Sequence, residues 1–184
     1  MRELSLHLLD IVQNSIAAAA DLIEIEIMED FKSDRLSIKV TDNGRGMSRS
    51  VLQSVIDPFF TTRKTRSVGL GLSLFAQSAQ RSGGDLVIRS KEGVGTEVEA
   101  VFQYSHIDRP PMGDLQGTLL TLIVLNPTID LVYRHNYDGR DFVIDTREIK
   151  RELDGIPINQ GQVVSWMQDF IQEGLAQLRG GRVE

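Results

Sequence analysis

Residues 36–47 read LSIKVTDNGRGM, and this stretch decides the fold of the first half of the chain. LSIKV alternates apolar and polar side chains, as a strand with one buried face does. Gly44 and Gly46 follow it and indicate a loop with backbone angles that other residues rarely adopt. Residues 22–27, LIEIEI, alternate in the same way. We therefore expect the two stretches to pair in one sheet, with the three isoleucines of LIEIEI facing inward.

Other segments of the first 104 residues extend this pattern. Apolar periodicity predicts a helix over 4–20, a short helix near 48–56 and a helix over 70–82 that stops at Gly83–Gly84. Two further alternating stretches, 85–90 and 96–104, predict strands. The order of elements is typical of an α+β fold, with a largely antiparallel sheet and helices on one face.

Composition limits the classes of function. The chain has 184 residues, of which 41% are hydrophobic and 25% charged, as in globular domains. It has no cysteine and three scattered histidines, which argues against disulfide scaffolds, thiol catalysis and transition-metal centres. A net charge of −6 argues against nucleic-acid binding. No apolar run approaches the roughly 18 residues of a membrane span, and we expect a cytoplasmic protein.

Asp42 stands where the strand meets the glycine loop. An ionised carboxylate only accepts hydrogen bonds, so it can accept from the amine of adenine but would repel the carbonyl oxygen of guanine. A buried acceptor without a partner costs about 1–3 kcal/mol, so such a site would select adenine over guanine. The alternative is that Asp42, Asn43 and Gly44 simply form a turn between two strands.

Two further clusters have a physical use around a nucleotide. Asp10 and Asn14 lie four residues apart on the first helix and share a face, where an amide oxygen suits Mg²⁺ and a carboxylate can act as a base. The sequence VGLGL, 68–72, opens the third helix with glycines that expose backbone N–H groups to phosphate. Arg63, Lys64 and Arg66 precede it as a small basic island. Each cluster also has a plain structural interpretation as surface polar residues, a flexible helix start or a solvated loop.

Taken together, the motifs NS at 14–15, DNGRGM, DPFFTTRK, VGLGLSL, RSGGDLVIRS and EGVGTEVEAVF resemble those of the GHKL (Bergerat-fold) ATP-binding superfamily over residues 1–104. This superfamily includes DNA gyrase B subunits, heat-shock chaperones, MutL-type ATPases, sensor histidine kinases and anti-sigma-factor kinases. The resemblance implies a two-layer α/β sandwich that binds ATP and Mg²⁺.

The resemblance also implies a role for each matching residue. Asn14 would ligate Mg²⁺, and Asp42 would bind the adenine amine with Thr96 beside it. Asp10 falls where relatives carry a general-base glutamate, although aspartate is one methylene shorter. By the same resemblance, the segment between Phe60 and Gly69 would form a short lid. The remaining residues of the implied nucleotide site are Gly44, Gly46 and Met47 at the adenine pocket, Gly69, Gly71 and Arg63 or Lys64 at the phosphates, and Leu70 and Leu72 at the start of the following helix.

Residues 105–184 lie outside the resemblance, and two prolines at 110–111 suggest a boundary near 104. We predict a small α+β appendage with a helix over 113–125, a hairpin turning at Tyr137-Asp138-Gly139 and a helix over 159–178. Asn159 and Gln162 resemble a capping box at the start of this last helix. Its apolar stripe, which includes Trp166, is expected to join the core or to face a protein partner.

Three functions remain open at this point. The favoured one is a histidine-kinase-like or anti-sigma-like kinase that transfers the γ-phosphate of Mg-ATP to a partner protein. The second is a slow ATPase. The third is a non-catalytic switch that binds ATP or ADP and presents residues 105–184 to a protein partner. His7 shares a face with Asp10 and Asn14, and a structural role is favoured over that of a phosphoacceptor or lid contact.

Overall fold

The computed structural model describes residues 3–56 and 70–180, apart from the side chains of Ser54, Ile56 and Leu70. The described helices are α1 (Leu4–Ala17), α2 (Arg49–Ile56), α3 (Leu70–Arg81), α4 (Leu115–Leu125), α5 (Thr146–Glu152) and α6 (Gly161–Leu178). The described strands are β1 (Leu22–Asp30), β2 (Arg35–Asp42), β3 (Asp85–Lys91), β4 (Gly95–Gln103), β5 (Asp130–Tyr137) and β6 (Arg140–Asp145).

All six strands form one mixed sheet in the order β3-β4-β2-β1-β5-β6. Four of the five neighbouring pairs are antiparallel, and only β1 and β5 run parallel. A parallel pair needs a long crossover connection, and α4 lies in that connection. The predicted α+β class with a largely antiparallel sheet is confirmed.

One face of the sheet carries the core. Along β1, Ile23, Ile25 and Ile27 are at most 2% exposed, while Glu24 and Glu26 between them face the other side. Side chains of α1, α3, α4 and α6 pack with these isoleucines in one hydrophobic cluster. The period of two that the sequence shows over 22–27 therefore places the isoleucines inward, as predicted.

The opposite face of the sheet is polar. Charged side chains pair across neighbouring strands there, as Lys39 with Glu26 at 2.9 Å and Arg134 with Glu24 at 3.7 Å. These cross-strand ion pairs are partly exposed, so they stabilise the sheet only modestly.

Strands from both halves of the chain share this sheet, because β5 pairs along its whole length with β1. The linker before α4 is also tied to the first half, where Leu4 N donates to Pro111 O at 3.0 Å and Ser5 N to Met112 O at 2.9 Å. The division into 1–104 and 105–184 stays a prediction.

The hairpin predicted at 137–139 is confirmed. Tyr137 pairs with Arg140, and Asp138 and Gly139 form the two-residue turn with φ of 48° and 86°. Positive φ at both turn residues matches the right-handed twist of the strands, and an Asp-Gly pair tolerates it well.

Two helix ends differ from the sequence analysis. The prediction that Asn159 and Gln162 form a capping box at the start of α6 is wrong, because Gln160 is the N-cap and its side chain makes no capping hydrogen bond. Helix α1 ends at Ala17 rather than at residue 20, since Ala19 adopts a φ of 59° that cannot continue a helix. This early end lets the chain turn directly into β1.

Candidate functional site

A cavity of about 350 Å³ opens between α1, the loop after β2, the start of α2 and strand β4. Six of the residues singled out in the sequence line it, and they come from four separate segments. They are Asn14, Asp42, Gly46, Met47, Leu72 and Thr96. The fold therefore brings the DNGRGM loop, the first helix and the third helix together around one space.

Asp42 is held firmly at the end of β2. The Ser15 hydroxyl donates to its Oδ2 at 2.6 Å, and the backbone N–H of Gly44 donates to its Oδ1 at 2.9 Å. Ser15 is 3% exposed, whereas Asp42 stays half-buried and lines the cavity. The carboxylate is thus fixed in direction and keeps lone pairs that can accept from a ligand amine.

Thr96 lies directly opposite Asp42 in the register of β2 and β4. Its Oγ1 is 2.8 Å from the Ser90 hydroxyl, which donates to Gly95 O at 3.0 Å and accepts from Met47 N at 2.8 Å. Since the one Ser90 proton goes to Gly95, Thr96 donates to Ser90 and its oxygen remains an acceptor. With this acceptor beside the Asp42 carboxylate, the site can accept hydrogen bonds from an amine group of a ligand.

The two loop glycines are required by close backbone approach. A Cβ on Gly44 would lie 2.8 Å from Ala18 O. Gly46 has a φ of +64°, and a Cβ there would lie 2.0 Å from Lys91 O. Only glycine fits at both positions, so the loop can close over the end of α1 and shape the rim of the cavity.

Asn14 and Asp10 stand on the same side of α1 but have different neighbours. Asn14 is half-buried and lines the cavity. Asp10 lies against the first turn of α3, where a Cβ on Gly71 would come within 2.9 Å of its Oδ2. Gly71 thus permits the carboxylate to reach the start of α3.

Three of the predicted phosphate contacts, Arg63, Lys64 and Gly69, lie outside the described residues. Leu70 begins α3 as expected, and Leu72 is 6% exposed and lines the cavity. The nucleotide contacts assigned to individual residues remain predictions.

The sequence analysis includes Ser90 only as the last residue of the motif RSGGDLVIRS, and it assigns no role to Ser90 or to Ser15. Ser15 could have been found, because it follows Asn14 and projects from the same end of α1. The role of Ser90 is harder to find, since this residue reaches the site only through the pairing of β3 with β4.

His7 is a structural residue. It is 1% exposed, stacks on Phe75 with ring centroids 4.8 Å apart, and has no hydrogen-bond partner among the described residues. Burial lowers the pKa of His7 to about 4, so the ring is neutral at pH 7. The structural interpretation of His7 is confirmed.

Metal-binding clusters of three or more acidic or histidine side chains do not occur in ranges 3–56 and 70–180. The donor set still fits Mg²⁺, because this ion takes few protein ligands and completes its shell with phosphate and water. The amide oxygen of Asn14 is the kind of donor that could serve as such a ligand. Over the same ranges, no helix is long and apolar enough to cross a membrane.

Comparisons with known proteins agree with this geometry. The family model described as histidine kinase-, DNA gyrase B- and HSP90-like ATPase matches residues 2–106. Sensor histidine kinase ZraS of Salmonella typhimurium is 36% identical over 90 residues, which are 48% of this chain and 19% of ZraS. Sensor protein DegM of Bacillus sp. (strain B21-2) is 33% identical over 91 residues, which are 50% of this chain and 24% of DegM. The chain thus spans a quarter or less of the length of these relatives.

Solved structures show the same fold. The MutL ATPase domain of Aquifex aeolicus, solved in complex with ADP, matches with a TM-score of 0.50 and 16% identity, covering 79% of this chain and 63% of that one. The family match covers more than half of the chain, and six of the residues singled out in the sequence line the cavity. The chain therefore belongs to the histidine kinase-, DNA gyrase B- and HSP90-like ATPase family, whose model matches residues 2–106.

Proposed function

We propose that the chain binds Mg-ATP in the 350 Å³ cavity and transfers the γ-phosphate to a side chain of a partner protein. The observation that carries this proposal is the fixed carboxylate of Asp42 at the cavity wall, with Thr96 opposite it. The adenine amine would donate to Asp42. The curated relatives, which are sensor kinases by name, favour phosphoryl transfer over other uses of ATP.

The phosphates would extend from the adenine pocket toward α1 and the start of α3. Asn14 would hold Mg²⁺ through its amide oxygen. When bound, the ion screens the negative charge of the phosphates. The backbone N–H groups at the start of α3 would face the phosphate oxygens.

Asp10 would take up the proton of the attacking group. In this step the nucleophile forms a bond to the γ-phosphorus, the bond from that phosphorus to the β–γ bridging oxygen breaks, and ADP leaves. The proposal is supported by the position of the Asp10 carboxylate, which lies beside Gly71 in the first turn of α3. If the nucleophile were water, the same step would make the protein a slow ATPase.

A second candidate is a non-catalytic switch that presents residues 105–184 to a protein. Trp166 favours it, because this large apolar side chain is 50% exposed on α6 and stacks on Phe170. An exposed tryptophan is typical of protein interaction surfaces.

A γ-labelled ATP incubation with Mg²⁺ tests these candidates. Wild type is compared with Asp10→Ala and with Asp169→Ala, which removes an exposed aspartate on α6 as a matched control. The proposal predicts label in protein or free phosphate with wild type and Asp169→Ala, and at least about a hundredfold less with Asp10→Ala. If ATP binds but is neither hydrolysed nor used to label protein, even when candidate partner proteins are present, the result would favour the switch. Turnover by Asp10→Ala equal to that of wild type would show that Asp10 takes no part in the reaction.

A further inference from the structure

Ser90 joins three parts of the nucleotide site through one hydroxyl group. It lies near the end of β3, and its Oγ accepts from Met47 N at 2.8 Å and donates to Gly95 O at 3.0 Å. The same oxygen is 2.8 Å from Thr96 Oγ1. Met47 and Thr96 line the cavity, whereas Ser90 is not part of its lining. Ser90 can therefore affect a ligand only through these neighbours.

The direction of each of these hydrogen bonds is fixed by the two backbone groups. A backbone N–H can only donate, and a backbone carbonyl can only accept. The single proton of the Ser90 hydroxyl therefore goes to Gly95 O, and one of its lone pairs takes the N–H of Met47. The second lone pair is left for Thr96, so the Thr96 hydroxyl donates its proton to Ser90. Toward a ligand, Thr96 Oγ1 can then only accept.

Asp42 places a second acceptor next to Thr96. The two residues are direct partners in the register of β2 and β4, and both line the cavity. Side chains at such positions have Cβ atoms about 4.5–5.5 Å apart, so one small group of a ligand can contact both. A carboxylate only accepts hydrogen bonds. This part of the wall therefore suits a group with two hydrogens to donate, and the amine of a purine has two.

We propose that Ser90 is a positioning residue that sets the base preference of the site by keeping Thr96 an acceptor. The inference rests on the proposed binding of an adenine nucleotide, and it names the ligand group that is selected, an amine at carbon 6 of a purine. One hydrogen of this amine goes to Asp42 and the other to Thr96. A carbonyl at carbon 6, as in inosine, places a third acceptor against these two and is disfavoured. Without Ser90, the Thr96 hydroxyl is free to turn and to donate to that carbonyl.

A purely structural role for Ser90 makes a different prediction. The β3–β4 hairpin is joined to the loop after β2 a second time, since Gly93 N donates to Arg45 O at 2.8 Å. This attachment remains in Ser90→Ala, and we expect the variant to fold. If Ser90 only supported the loop, its loss would weaken the binding of every nucleotide by the same factor. Control of the Thr96 hydroxyl instead changes the ratio of affinities for two bases.

The test measures the Kd of ADP and of inosine diphosphate by titration calorimetry on the full chain. The proposal predicts that wild type binds ADP at least about a hundredfold more tightly than inosine diphosphate, and that Ser90→Ala lowers this ratio about tenfold. Ser90→Thr retains the hydroxyl and should keep the wild-type ratio. Ser37→Ala, which removes a serine from the polar face of β2, is the matched control and should also keep it.

A double-mutant cycle assigns the effect to Thr96. Thr96→Val removes the hydroxyl with little change of shape and should also lower the ratio. In the Thr96→Val background, Ser90→Ala should leave the ratio unchanged, because no hydroxyl remains to be oriented.

An unchanged ratio in Ser90→Ala, or the same tenfold reduction in both backgrounds, would overturn the inference while ADP binding by wild type still supports the proposed function. If Ser90→Ala does not fold, Thr96→Val decides, and an unchanged ratio in that variant overturns the inference. Wild type that binds neither nucleotide would overturn the proposed function and this inference with it.

Discussion

The burial of His7 predicts that the protein loses stability in mild acid. His7 lies on α1, is 1% exposed and packs against Phe75 of α3. Its pKa in the folded protein is about 4. In the unfolded chain a histidine has a pKa near 6.5. The folded state therefore binds fewer protons than the unfolded state between these two values, and the free energy of unfolding falls as the pH is lowered through this window.

The magnitude follows from the two pKa values. A group with these values makes the folded protein about 3 kcal/mol less stable at pH 4 than at pH 8. The assay is urea denaturation at pH 8, 6, 5 and 4, for wild type and for His7→Leu, whose side chain is apolar and does not titrate. His106→Leu is the control, because His106 is half-exposed and hydrogen-bonded to Asp108 N.

We expect wild type and His106→Leu to lose stability along the same curve between pH 6.5 and 4. His7→Leu should lose about 3 kcal/mol less over that range. Acid destabilisation of the same size in His7→Leu would refute the assignment to His7, and would point to other titrating groups.

Two further substitutions test how the site is held. Ser15→Ala removes the hydroxyl that donates to Asp42, and should weaken ADP binding by about 1–2 kcal/mol in calorimetry, because a charge-assisted hydrogen bond is lost. Ser5→Ala on the same helix is the control, since its buried hydroxyl has no partner among the described residues. Gly46→Ala should abolish ADP binding and lower the melting temperature, because its Cβ would clash with a backbone carbonyl of β3. Gly93→Ala, with φ of +74° but open space around it, should lose only about 1 kcal/mol in stability.

Local patterns predict much of this fold. The alternation in LIEIEI and LSIKV places Ile23, Ile25 and Ile27 in the core, and the Asp138-Gly139 pair forms the turn of the β5–β6 hairpin. Both features depend on residues close together in sequence. The sequence analysis, by contrast, does not predict that β5 runs parallel to β1, because that pairing joins residues more than 100 positions apart.

The same distinction applies to the candidate site. Asp42, Gly44 and Gly46 are recognisable from one short motif. Ser90 is not, because it joins Thr96 and the loop only after β3 and β4 have paired. The prediction of a capping box at the start of α6 is wrong for a related reason. Residues 159 and 162 have suitable side chains, but the path of the preceding chain makes Gln160 the N-cap.

The most direct test of the account is the stabilisation of the protein by ATP. Melting temperatures are measured with and without ATP, each with and without Mg²⁺, for wild type, Asp42→Ala, Asn14→Ala and the control Asp169→Ala. A hundredfold excess of ATP over its Kd should stabilise wild type by about 2.7 kcal/mol. We expect Asp42→Ala to lose this effect under both conditions, Asn14→Ala to lose chiefly the Mg²⁺-dependent part, and Asp169→Ala to keep it. No ATP-dependent shift in wild type, or an undiminished shift in Asp42→Ala, would contradict the assignment of this cavity as the nucleotide site.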